Sequence, residues 1–345
     1  MRVLVVTDAW RPQVNGVVRT IEQLVAHAPA FGAAIDLLTP DAFMTVPLPS
    51  YPEIRLALAR VAKVSGLIDD SRPDHVHIAT EGPLGLAARR ACLRAGRAFT
   101  TSYHTRFPEY VRRRAPVPER LTYAWLRRFH NAGDGVMVAT ESLSRDLESH
   151  GFQRLMRWTR GVDAELFRPR PCVDVFDLPR PIFLYVGRVA PEKNLEAFLS
   201  LDLPGSKVVV GDGPSRADLE NRFPRARFVG SLQGEALAEA YASSDVFVFP
   251  SRTDTFGIVI LEALASGLPV AAFPVTGPAD ILRDQAAGAL DEDLRAAALL
   301  ALSASRDAAR ALALRHGWAE ATRSFVDNVR GVMTSRAPHR EAAVS

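Results

Sequence analysis

Asp254 and Glu262 stand eight positions apart around the start of an apolar stretch in "SRTDTFGIVILEALASGLPV" (251–270). If Gly257 opens a helix there, Asp254 lies just outside its N-terminus and Glu262 about 8 Å along it, at 1.5 Å per residue. A lone carboxylate among Ile, Leu and Ala is costly to bury unless it accepts strong hydrogen bonds. The vicinal hydroxyls of a ribose would supply them, and Asp254 would meet a second polyol one diphosphate-length away. The plainer alternative is a capping Asp and a partly exposed Glu. Upstream, "GRVAPEKN" (187–194) sets Arg188 and Lys193 five positions apart, in the loop and first turn after an apolar run. A planar fork beside a mobile point charge suits a diphosphate, although Glu192 offers a competing salt bridge. "GDGP" (211–214) brings Gly211 to a second strand end, where a nucleobase could lie against backbone or the chain could simply turn.

Near the N-terminus, "TDAWRPQVNGVVRT" (7–20) lacks the G-x-G-x-x-G of dinucleotide enzymes, which argues against hydride chemistry. Asn15 and Gly16 precede a helical pattern, so the helix start offers either free amides and a positive end for a phosphate or an ordinary N-cap. "SYHTRFPEY" (102–110) adds His104, which could face a ligand or cap its own loop.

These residues need elements to hold them. Short β-branched runs at 2–7, 34–39, 75–80, 98–103 and 135–140 alternate with helical periodicity, and the pattern restarts at 181–187, 207–213, 227–230, 245–251 and 269–273. Strand–helix alternation implies parallel sheets covered on both faces. The fold class expected is α/β, two doubly wound parallel-sheet (Rossmann-like) domains facing a cleft, with ligands at the carboxyl ends of the strands. The proline-rich run 163–181 reads as the linker. The expected division is residues 1–165, then 166–317, with a helix at about 318–333 and a disordered tail at 334–345.

A chain of 345 residues with 48% hydrophobic content is long and apolar enough for two cores. No run reaches the length of a membrane span and the N-terminus has no signal-peptide pattern, so a cytoplasmic location is expected. Cys92 and Cys172 alone suggest neither a disulfide nor a cysteine metal site. Residues 1–170 carry 24 Lys and Arg against 17 Asp and Glu, leaving 18 against 22 for the remainder. Between 89 and 128 there are 11 Arg against Glu109 and Glu119, interleaved with aromatics. Arg106, Arg112, Arg113, Arg114 and Trp125 are therefore candidates for an anionic lipid surface; a solvated helix face and nucleic acid are the alternatives, nucleic acid the weakest.

Taken in order, these motifs resemble the family 4 retaining glycosyltransferases of GT-B-type architecture over nearly the whole chain. The family's E-x7-E motif corresponds to Asp254 and Glu262, with a shorter first acid here. Its "GR…EKN" diphosphate site corresponds to Arg188 and Lys193, and its N-terminal glycine loop to Gly16, with Asn15 in place of the first of two glycines. His104 matches the histidine that approaches the transferred sugar, "GVD" (161–163) and the Trp318 helix match in place, and "TDTFG" puts Phe256, Gly257 and Ile258 at the donor. Within the family, the branch resembled contains glycolipid synthases and GDP-mannose-dependent mannosyltransferases. The resemblance implies an N-terminal acceptor-side domain, a C-terminal donor domain, and transfer of a sugar from a nucleotide diphosphate to a hydroxyl with retained α configuration. His104, Arg188, Lys193 and Asp254 would then serve the reaction, without metal or cofactor, and a lipid acceptor would place the enzyme peripherally on the inner membrane face. A nucleotide-sugar epimerase and a non-catalytic sugar-nucleotide-binding scaffold are the rivals.

Overall fold

A computed structural model describes residues 1–336 except 14, 49–50, 115–116, 171–173 and 284; the side chains of 51–53, 110, 113–114, 285 and 336 also lie outside the described residues. The strands in chain order are β1 (Arg2–Val6), β2 (Ala34–Leu38), β3 (Thr45–Leu48), β4 (Tyr51–Ala57), β5 (His75–Ile78), β6 (Phe99–Tyr103), β7 (Gly135–Val138), β8 (Leu155–Arg157), β9 (Ile182–Val186), β10 (Ser206–Val210), β11 (Arg227–Gly230), β12 (Val246–Phe249), β13 (Val270–Ala272) and β14 (Gly288–Leu290). The chain divides into two compact units, Met1–Thr159 with Trp318–Ser345, and Arg160–Gly317.

The first unit holds a parallel six-stranded sheet in the order β2-β1-β5-β6-β7-β8. Strand side chains alternate between faces, so a sheet covered on both sides is mostly apolar, and the buried polar residues of β5 and β6 pair with one another, as His77 does with Thr100 and Ser102. Accordingly Leu4 and Val6 pack with Val76, Ile78, Leu84 and Ala88 on one side, while Val3 and Val5 pack with Ile21, Leu24 and Trp158 on the other. The terminal helix Trp318–Arg336 completes that second side through Phe325, Val326 and Val329. The second unit repeats the plan with the order β11-β10-β9-β12-β13-β14, again all parallel. In each sheet the chain starts in the middle, builds outward and then returns to the other side. The return creates a switch point between the carboxyl ends of β1 and β5 in one unit, and of β9 and β12 in the other, where such sheets bind ligands.

The ten strands expected from the sequence are all present, and four more join them. β8 and β14 are three-residue edge strands, and β3 and β4 form an antiparallel ribbon containing Pro47 and Pro52. The linker expectation is corrected. Residues 164–169 belong to the second unit: Phe167 is buried, and Arg310 donates to the carbonyls of Ala164, Phe167 and Ala265 at 2.9, 2.7 and 2.7 Å. Prolines erase the helical periodicity of this run, yet one aromatic anchor and one guanidinium suffice to fix it. The chain changes unit at Thr159–Arg160, ahead of the boundary expected at 165. The expected tail is also corrected, since the last helix runs through 334–336; residues 337–345 lie outside the described residues.

Gly211 shows how tightly the strand ends of the second unit meet. Its φ is +140°, and a Cβ there would lie 1.9 Å from the carbonyl oxygen of Gly187. Gly211→Ala should cost about 2–4 kcal/mol in urea unfolding, through strain and collision with backbone that cannot yield. Gly66→Ala, in the helix Val61–Ser71 with no atom within 4 Å of the new methyl, should instead stabilise by about 0.5–1 kcal/mol.

Candidate active site

In the second unit the switch point gathers most of the candidate donor residues. Arg188 and Lys193 follow β9, and Asp254 follows β12. Lys193 Nζ donates to Asp254 Oδ1 at 2.5 Å, with side chains only 21% and 18% exposed. The neighbouring contacts lock the same two loops together. Asn194, in the left-handed region at φ 57°, donates from Nδ2 to the carbonyl of Pro250 at 3.0 Å, and the hydroxyl of Thr253 reaches the carbonyl of Glu192 at 3.5 Å. The partner of Lys193 is thus across the switch point, in the Asp254 loop. Among the described residues nothing reaches Asp254 Oδ2, although that oxygen is buried. A buried lone pair without a donor is a standing cost that a ligand hydroxyl would remove.

Gly257 caps the helix Ile258–Ala265 with φ +90°, a left-handed conformation that favours glycine, and a Cβ there would crowd Ile260 at 3.0 Å and Phe249 at 3.2 Å. Glu262 lies within this helix, 1% exposed, and the hydroxyl of Tyr241 donates to its Oε2 at 3.0 Å. The structure therefore answers part of the question posed by an acid among aliphatics: a phenol from the adjacent helix Gly234–Ala242 supplies a donor. Phe256 is 5% exposed, with its ring 6.5 Å from that of His316. Gly211 stands at the end of β10, packed on Gly187 beside the same switch point.

In the first unit, His104 follows β6 and sets its ring edge against Trp158, with centroids 5.8 Å apart. The helix Gly16–His27 is capped: Asn15 Oδ1 accepts from the amides of Val17 and Val18, both at 3.0 Å. The two readings of that helix start are thereby resolved toward the ordinary cap, and Gly16 does not open a ring of free amides. Arg106 is corrected more sharply. It is held inward between Glu109 and Asp146, at 3.0 and 2.9 Å, because a guanidinium only 16% exposed needs carboxylates around it. Arg112 reaches Glu119 at 2.9 Å and remains 69% exposed. The side chains of Arg113 and Arg114 lie outside the described residues. Trp125 is exposed beside Phe107 and Phe129, each ring pair 6.3 Å apart.

Two residues escaped the sequence reading. Tyr241 lies 21 positions before Glu262 on another helix, a separation no spacing rule flags. Asp8 follows β1 and accepts from the hydroxyl of Thr80 at 2.9 Å and the amides of Leu84 and Gly85 at 2.7 and 3.1 Å. Burial pushes its carboxyl above the ordinary aspartate range although these hydrogen bonds pull the other way. A Cβ on Gly82 would lie 2.4 Å from Asp8 Cγ, so the glycine in "TEGPLG" was the available signal.

Two doubly wound units, each a parallel six-stranded sheet, make up the GT-B-type fold. The chain has that fold in common with HepE of Anabaena, crystallised with UDP (TM-score 0.70, 15% identity, 96% of this chain and 100% of that one), and with sucrose-phosphate synthase of Thermosynechococcus elongatus (TM-score 0.72, 19% identity, all of both chains). The family model described as Glycosyltransferase Family 4 matches residues 14–166, and the one described as Glycosyl transferases group 1 matches 180–305. A GDP-mannose-dependent alpha-mannosyltransferase of Mycobacterium tuberculosis is 33% identical over 84% of this chain and 83% of its own. The sulfoquinovosyl transferase of Arabidopsis thaliana is 34% identical over 70% of this chain and 51% of its own length, and the alpha-monoglucosyldiacylglycerol synthase of Streptococcus pneumoniae 27% over 89% and 79%. The chain belongs to the family 4 glycosyltransferases, in the branch to which these enzymes are similar.

The Tyr241–Glu262 contact can be tested directly. Tyr241→Phe removes one donor from a buried carboxylate and should lower stability by about 1–3 kcal/mol in denaturant unfolding. Tyr241→Phe combined with Glu262→Gln should recover part of that loss; no recovery would mean that the phenol acts through packing alone.

Proposed function

We propose that the chain transfers a sugar from a nucleotide diphosphate to a hydroxyl of a membrane lipid, retaining the α configuration and using no metal. The observation that carries this reading is the Lys193–Asp254 pair at the β9/β12 switch point, with the second oxygen of Asp254 buried and without a hydrogen-bond partner among the described residues. In this reading a sugar hydroxyl donates to Asp254 Oδ2, while Lys193 and Arg188 meet the diphosphate. Charge builds on that leaving group in the transition state, and fixed cations aimed at it stabilise the developing charge most. Glu262 receives ribose hydroxyls alongside Tyr241. The departing phosphate takes the proton of the acceptor hydroxyl. Relatives named for UDP-bound, GDP-mannose-dependent and diacylglycerol-dependent chemistry support a nucleotide-sugar donor; the mannosyltransferase similarity across most of both chains favours GDP-mannose as a second, more specific reading.

The lipid half of the proposal rests on the helices Phe107–Arg114 and Glu119–His130. Among the described residues no helix is long and apolar enough to cross a membrane. Instead Phe107, Leu121 and Trp125 stand 43%, 57% and 40% exposed on a surface rich in arginine. Apolar side chains rimmed by cations are what an interfacial anchor on anionic lipid requires.

Lys193→Ala should lower kcat by about 10²-fold or more, with a smaller rise in donor KM, and EDTA should leave transfer intact. A change confined to KM would make Lys193 a ground-state binder, and activity restored by Mg²⁺ after EDTA would overturn the metal-free mechanism. For the surface, Leu121→Ser with Trp125→Ser should reduce co-sedimentation with phosphatidylglycerol vesicles while nucleotide binding, read by thermal shift, stays unchanged. Equal sedimentation of variant and wild type would remove the lipid surface and leave the transferase assignment standing.

A further inference from the structure

The first unit has a switch point too, between the carboxyl ends of β1 and β5, and two carboxylates follow those strands. Asp8 is consumed there by its neighbours: the Thr80 hydroxyl and the Leu84 and Gly85 amides occupy its oxygens. Glu81 is not. It lies in the turn between β5 and the helix Pro83–Arg94, its side chain is 17% exposed, and its Oε1 meets Nε2 of His130 at 3.1 Å. Among the described residues His130 is the group that reaches it. A carboxylate offers about four acceptor sites, so one donor from the protein leaves the others to solvent or to a ligand.

The histidine behind it is fixed. His130 is fully buried, and its Nδ1 stands 2.8 Å from the hydroxyl of Thr101, itself buried on β6. A carboxylate can only accept, so Nε2 carries the hydrogen that points at Glu81, with the Thr101 hydroxyl holding the other ring nitrogen. The line Thr101–His130–Glu81 thus holds the carboxylate from the sheet side, while Asp8 rigidifies the turn that carries it. A preorganised acceptor with spare lone pairs at a ligand-binding position is suited to hydroxyl donors. The same negative charge, little screened by solvent, repels a phosphate placed beside it.

We propose that Glu81 binds and orients the acceptor through hydroxyls adjacent to the reacting one, and that it restricts the acceptor to neutral, multiply hydroxylated sugar headgroups over phosphate-bearing ones. This inference rests on the transferase reading above, with His130 as the positioning residue for Glu81.

The test measures nucleotide release by the full chain from UDP-glucose and GDP-mannose, with hydrolysis in the absence of acceptor as the baseline. Acceptors are monoglucosyl dioleoylglycerol in phosphatidylcholine vesicles, methyl α-mannoside and methyl α-glucoside in solution, phosphatidylinositol vesicles and glycerol 3-phosphate. The wild type should use the neutral acceptors at least tenfold better, by kcat/KM, than the phosphate-bearing ones. Glu81→Gln should raise the KM for the neutral acceptor at least tenfold and narrow that preference, with baseline hydrolysis and donor affinity unchanged. Glu81→Asp, which keeps the charge at shorter reach, should restore part of the activity; thermal melts confirm that both variants fold. Unchanged acceptor KM in Glu81→Gln, a wild-type preference for phosphate-bearing acceptors, equal loss of baseline hydrolysis, or no acceptor raising release above baseline would each overturn the proposal. Transfer to the methyl glycosides but to no lipid, lost in Glu81→Gln, would sink the lipid reading and uphold Glu81.

Discussion

A charged group held between protein loops must find its counter-charge at a fixed place, and Lys193 finds it in Asp254 across the β9/β12 switch point. The contact binds two segments 61 positions apart, with Asn194 on Pro250 and Thr253 on Glu192 closing around it. Each loop would otherwise be a flexible crossover at the end of a strand. Joined by a half-buried ion pair they form one surface, so the cation and the carboxylate are presented together. A ligand that uses one of them must come to terms with the other, which favours a molecule carrying both anionic and hydroxyl groups.

The acids of this protein show how environment divides labour among chemically equal groups. Asp8 faces amides and stays structural. Glu262 takes a phenol inside a helix pair, and Asp254 keeps one buried oxygen without a hydrogen-bond partner among the described residues. Desolvation penalises all of them, and what differs is the supply of donors from the surrounding fold. Arg106 makes the same point with the sign reversed: surrounded by Glu109 and Asp146, it is turned from a surface cation into an internal brace.

The sequence carried the architecture well because fully buried strands are mostly apolar on both faces, which made runs such as "RVLVV" and "IFLYV" legible. It was silent where burial is partial: "LMR" and "GAL" are short edge strands, and the β3–β4 ribbon exposes Val46 and carries prolines. The site was legible where residues fall in one loop, as with Arg188 and Lys193, or in one helix start, as with Asp254 and Glu262. It was hidden where partners come from different elements. No spacing announces Tyr241 beside Glu262 or His130 beside Glu81, since those contacts exist only after the sheets have set the helices side by side. Composition likewise placed Arg106 on the cationic surface, when two nearby acids draw it inward.

The terminal helix gives the chain an order of events. The second unit is contiguous, whereas the first is assembled from both ends of the polypeptide, with Phe325, Val326 and Val329 covering Val3, Val5 and Ile21. During synthesis the donor-type unit has all its strands and helices before the first unit has its last layer. The older half is therefore the one still waiting, its sheet covered by Ile21, Leu24 and Trp158 but without Phe325, Val326 and Val329 until residues 318–336 emerge. A stop codon near residue 318 would leave the younger unit complete and expose the core of the older one, so that truncated products are marked for removal by the half of the protein made first.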